Sequence, residues 1–151
     1  MTRPKWSSKL TKYAFLVSFL LAVSSCSITQ HVDPTDMMCP DSPKCVSSEE
    51  ARSTQLIEPF SFDDPPEQAM ARLKAALLSE ENVTITREEP THLTAEVRTQ
   101  LFGFVDDVKF VLLPKQGTIQ VRSSARMGYA DMGVNRRRIE RIRKALLEAK
   151  Q

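Results

Sequence analysis

The residues best suited to chemistry lie late in the chain. Asp106 and Asp107 fall in one predicted strand, Arg122 and Arg126 in the next, and Asp131, Asn135 and Arg136 in the loop and helix start that follow. A hairpin between those strands would let carboxylates and guanidiniums meet, and a guanidinium is a planar fork that a carboxylate or phosphate accepts in two places. Two uses of this candidate ligand-binding set stand open. Either the acids neutralise Arg122, Arg126 or Arg136 in a fixed polar network that sets register, or one arginine stays free to grip a phosphate, carboxylate or lipid headgroup. The helix beginning at Val134 would help, because unpaired N–H groups at a helix start favour an anion. Asp131 or Asn135 would equally serve as the cap of that helix. Successive strand residues point to opposite faces, so Asp106 and Asp107 cannot form a facing acid/base couple. His92 follows Pro90 in a turn with no nucleophile pattern around it, and the chain holds no G-x-S-x-G, phosphate loop or H-E-x-x-H. No catalytic residue and no cofactor is nominated. The expectation is a non-catalytic binding module for an anionic small molecule, a lipid or an envelope partner. The alternatives are a hydrolase-type enzyme using Asp106, Asp131 or His92, and a purely structural envelope component.

The cysteines carry a second kind of chemistry. Residues 1–12 hold Arg3, Lys5, Lys9 and Lys12, residues 13–23 are apolar apart from Ser18, and Ser24, Ser25 and Cys26 follow. A basic start, a short apolar run and small residues before a cut describe a secretory signal over residues 1–25. The run is shorter than the roughly 20 apolar residues a spanning helix needs. Val23-Ser24-Ser25-Cys26 resembles the bacterial lipobox, with Ser25 where Gly or Ala is more usual. That resemblance implies lipidation of Cys26, cleavage before it, and two or three acyl chains of the palmitate kind that hold a domain at a membrane. Ser27, in place of Asp, resembles lipoproteins passed on to the periplasmic face of an outer membrane where the host has two membranes. Cys39 and Cys45 then remain as a pair around Pro40 and Pro43. Outside the cytoplasm such a pair becomes a disulfide; the alternative is a metal site completed by His31 or a carboxylate.

Charge supports this division. The chain carries a formal +2, from 21 basic and 19 acidic residues; the four cations of the signal reduce the basic count to 17 and the balance to −2. The basic whole-chain balance therefore gives no reason to invoke nucleic acid. The run from Arg136 to Lys144 reads as a solvated helix face beside anionic headgroups.

These groups need a scaffold. Residues 26–38 are polar and aperiodic, a tether, and residues 39–151 form one domain. Asp63-Asp64-Pro65-Pro66 announces a helix over residues 66–79, with Ala69, Met70, Leu73, Ala76 and Leu77 on one face. Alternation predicts strands over residues 82–88, 93–101, 104–113 and 118–126, the second turning Ala95, Val97, Thr99 and Leu101 to one side. Residues 134–150 read as a helix with Ile139, Ile142, Ala145, Leu146 and Ala149 as its apolar stripe. Short connections favour an antiparallel four-stranded meander with both helices on one face, an α+β fold of order α-β-β-β-β-α.

Three blocks also carry a family pattern: residues 39–48, CPDSPKCVSS; residues 101–108, LFGFVDDV; and residues 121–138, VRSSARMGYADMGVNRRR. Together they resemble the domain of unknown function 1499 family over about residues 38–148, with Lys44 where Asn is expected. The resemblance implies an envelope, membrane-attached or lumenal setting and no activity.

Overall fold

The computed structural model describes residues 36–149. The signal segment, Cys26, His31 and the tether as far as residue 35 lie outside the described residues.

Helix α1, Pro66–Leu78, starts where two prolines meet the first turn. Their fixed φ suits a helix start, and Glu67 complements the positive end. Its buried residues are Ala69, Met70, Leu73, Ala76 and Leu77, the face that periodicity predicts. Helix α2, Val134–Glu148, buries Ile139, Ile142 and Leu146, and also Asn135 and Arg138.

Between them run β3 (Val83–Glu88), β4 (His92–Arg98), β5 (Val105–Leu113) and β6 (Thr118–Ala125). All neighbours are antiparallel, with Val97 opposite Asp106 and Asp106 opposite Ala125. Leu93, Ala95 and Val97, then Val108, Phe110 and Leu112, then Ile119 and Val121 form one sheet face. The two helices close over it to make the core.

Two corrections follow. The sheet has six strands, not four: β1 (Cys45–Ser47) and β2 (Phe60–Ser61) both pair antiparallel with the free edge of β6. The order is therefore β-β-α-β-β-β-β-α. Strands of three and two residues are too short to display an alternating period, so nothing in their composition announces them. The second correction concerns the end of β4. It stops at Arg98, and Thr99–Phe104 folds into a turn closed by Gly103 N–H to Thr99 O (3.0 Å) and Thr99 N–H to Phe104 O (2.9 Å). Gly103 takes φ 65°, a region open to glycine. Leu101, expected inward, is 82% exposed.

The opposite face of the sheet is partly covered by the incoming chain. Lys109 donates to the Asp36 carbonyl (3.2 Å) and Arg122 to the Met38 carbonyl (2.9 Å). Met37 is buried. Residues 36–38, assigned to the tether by composition, thus lie as a strap across β5 and β6.

Candidate functional site

The polar residues of the three blocks separate into a buried set and an exposed set. Asp106 leaves β5 on the core face and meets Arg138, one turn into α2. Arg138 Nη2 donates to Asp106 Oδ2 at 2.6 Å, and both side chains are 3% exposed. Arg138 Nη1 donates to Asn135 Oδ1 (2.6 Å) and Ser123 Oγ (3.1 Å), and Ser123 Oγ donates to Asn135 Oδ1 (2.5 Å). Asn135 Nδ2 in turn donates to Asp131 Oδ2 (2.8 Å) and to the Lys44 carbonyl (3.1 Å). Asp131 also accepts from the backbone N–H of Gly133 and Asn135, both at 2.9 Å. One chain of polar contacts therefore ties β5, β6, the β6–α2 loop, the start of α2 and the cysteine loop. Buried charges persist when paired and hydrogen-bonded in this way.

Arg138 is the residue the sequence reading missed. Placed in a basic run, it looked solvated; its only signal is that it lies three residues beyond Asn135 and four before Ile142 on the buried stripe. Asp106 pairs with it and not with Arg122, Arg126 or Arg136.

The rest of the predicted set lies elsewhere. Asp107 and Arg126 meet on the outer face, where Arg126 Nε and Nη2 grip both Asp107 oxygens (3.0 and 2.7 Å) and Nη2 also reaches Glu96 (2.6 Å). Those carboxylates raise the Arg126 pKa above its ordinary value, Asp107 most strongly. With Thr86, Arg87, Thr94 and Lys109 they line a cleft of about 230 Å³. Arg122 lies under the strap, and burial pushes its pKa down while Asp36 and Asp107 oppose the shift. Arg136 donates to the carbonyls of Thr54 (3.1 Å) and Leu56 (2.8 Å) on the far flank of α2. His92 opens β4, five residues from the Val97 that faces Asp106, about 17 Å along the strand.

Cys39 and Cys45 form a disulfide, which takes both sulfurs out of the metal alternative. Their loop is clamped from inside the domain. Arg52 donates to the carbonyls of Cys39 (3.0 Å) and Pro40 (3.2 Å) and to Asp41 (2.8 Å), while Gln55 donates to the Ser42 carbonyl (2.8 Å). Glu50 holds Arg52 from behind, and the Arg52 side chain in turn holds the Glu50 carboxyl down at about 2, helped by backbone N–H groups.

The exposed set gathers at one end. Because Asp106 faces Ala125, the β4–β5 turn and the β6–α2 loop leave neighbouring strands at the same end of the sheet. Leu101, Phe102 and Phe104 stand on the first, and Met127, Tyr129 and Met132 on the second; exposures run from 46% at Phe104 to 91% at Met132. The Phe102 and Phe104 rings stack at 5.5 Å. Leu101 and Val134 share a cleft of about 610 Å³ with Arg98, Arg138 and Arg141.

Among the described residues no group of His, Cys, Asp and Glu is arranged to hold a metal ion, and no helix is long and apolar enough to cross a membrane. No curated protein matches the chain. The model of the family described as "Protein of unknown function (DUF1499)" matches residues 37–146. That span covers both the buried network and the exposed loop end, and the chain belongs to the domain of unknown function 1499 family.

Proposed function

We propose that the protein is an exported, lipid-anchored interaction module without catalytic chemistry of its own, held by Cys26 at an envelope membrane and presenting the loop end of its domain to a partner there. One observation carries the reading. The carboxylates a hydrolase would draw on, Asp106 and Asp131, are committed to Arg138 and Asn135, and the network they build holds the β6–α2 loop, whose apolar side chains point to solvent at the same end of the sheet as those of the β4–β5 turn. A network of this kind preorganises a surface, which lowers the entropic cost of binding. A hydrolase pairing His92 with Asp106 is disfavoured, because His92 lies opposite Val111 and Asp106 opposite Val97, five residues along β4. Arg126 and Arg122, with their donors engaged by carboxylates and the strap, stabilise the fold in this reading and do not grip a ligand.

The test has two arms. Metabolic labelling with an alkyne fatty acid is expected to tag the wild-type chain and not Cys26→Ala; equal tagging would remove the anchor. Native mass spectrometry of the full chain released from its own envelope is expected to show a bound species that Phe102→Ser with Tyr129→Ser loses and Arg122→Ala with Arg126→Ala keeps. The reverse pattern would return the site to the arginines.

A further inference from the structure

We propose that the loop end is a membrane-inserting face whose partner is an anionic lipid bilayer, with its apolar tips in the headgroup and outer acyl region and its cations among the phosphates. This rests on the reading of a membrane-held module and adds the identity of what the module touches.

Six large apolar side chains project here on two short loops, while the other large exposed ones among the described residues (Met38, Leu56, Leu78 and Leu147) lie elsewhere in the chain. Apart from the stacked Phe102 and Phe104 rings, they reach into solvent from the loop tips, a form suited to a fluid layer. Tyr129 and the two phenylalanines are the amphipathic and aromatic kinds that favour the membrane–water boundary.

Charge complements the apolar tips. Lys44, Arg98 and Arg137 have no carboxylate partner among the described residues. Lys44 and Arg137 instead hydrogen-bond to the carbonyls of Arg126 (3.1 Å) and Met132 (2.9 Å), on the β6–α2 loop. Arg98 ends β4 immediately before the other loop. The single acid of the two loops, Asp131, is occupied by Gly133 and Asn135. Of the neighbouring acids, Glu81 is engaged by Gln100, and Glu96 and Asp107 by Arg126.

The reach also fits. Ten residues lead from Cys26 to Asp36, at most about 35 Å of chain. Asp36 contacts Lys109, four residues from the start of β5, about 13 Å from the loop end. A lipid on Cys26 and the loop end can therefore enter one bilayer.

The experiment uses the full chain reconstituted into phosphatidylglycerol–phosphatidylethanolamine vesicles with brominated acyl chains. Trp6, the chain's one tryptophan, lies in the segment removed with the proposed signal; Trp6→Phe keeps any uncleaved chain dark, and F102W, Y129W or L147W supplies one reporter each. The first two are expected to be quenched at least about twofold more than L147W, which sits at the other end of α2. Replacing Lys44, Arg98 and Arg137 by alanine should lower the inserted-to-withdrawn ratio about fivefold per charge, as should removing phosphatidylglycerol. Loop reporters quenched no more than L147W overturn the proposal. So does a blue-shifted loop reporter without bromine quenching, which means that a second copy or another protein covers the loops. Fatty-acid labelling of the same samples reads the anchor separately: quenching without label keeps insertion and sinks the anchor, and label without quenching does the opposite.

Discussion

At the scale of single residues, Arg138 shows how much a buried charge depends on its company. It supplies the counter-charge to Asp106 and two donors to the Asn135–Ser123 pair. Arg138→Met leaves the Asp106 carboxyl in the core without its partner, and losing one partner of a buried pair costs about 3–5 kcal/mol. Arg138→Met with Asp106→Leu removes both charges and is expected to recover most of that loss. Urea unfolding of the two variants checks this, and a double variant no better than the single would mean that the hydrogen bonds, not the charge pair, dominate. Glu50 makes a different claim. Its carboxyl, near 4.5 in an ordinary setting, is held at about 2 by the Arg52 hydrogen bonds. A depressed carboxyl contributes stability above its unfolded pKa and loses it as the pH falls through its folded pKa. The clamp on the cysteine loop should therefore weaken between pH 4.5 and about 2. Glu50→Gln should flatten the fall of the thermal midpoint over that interval, and parallel profiles for the two proteins would refute the assignment.

At the scale of elements, two tight turns differ in what surrounds them. Gly103 and Gly117 both adopt left-handed backbone, at φ 65° and 61°. A side chain on Gly103 would meet open space, whereas one on Gly117 would come within 2.9 Å of the Phe62 carbonyl. Gly103→Ala should cost about 1 kcal/mol from backbone strain alone, and Gly117→Ala clearly more, with the link between the β2 edge and the β5–β6 turn disturbed. Equal melting points for the two variants would contradict this. The same contrast explains what could be read in advance. Both helices and the four long strands were legible because their burial repeats with period 3.6 or 2 over many residues: the face Ala69–Leu77 and the alternation through β5 are examples. The edge strands β1 and β2 were hidden by their brevity, and Leu101 was misplaced because hydrophobicity continues the β4 pattern past the point where Gly103 bends the chain. The polar cluster was legible as residue types and in the pairing of Asp107 with Arg126, and wrong in the partner expected for Asp106. Asp106 and Asp107 separate to two faces as alternation requires, but the partner of Asp106 comes from the basic run of α2 that composition marks as a solvated face.

At the scale of the whole molecule, the polar network and the apolar loops form one device. Asp106, Ser123, Asn135 and Arg138 tie α2 to the end of the sheet from which both loops leave, and Asp131 extends the network into the β6–α2 loop. The strap adds a mechanical property. Tension arriving along the chain at Asp36 first loads the contacts to Lys109 and Arg122. It then meets the Cys39–Cys45 bond, which passes it to β1 and spares the intervening loop. Because β1 is hydrogen-bonded along its three residues to β6, the load passes from this short edge strand into the body of the sheet. Strap and disulfide together would work as a strain relief: a load applied ahead of Asp36 would be shared with the sheet before it could unravel the edge.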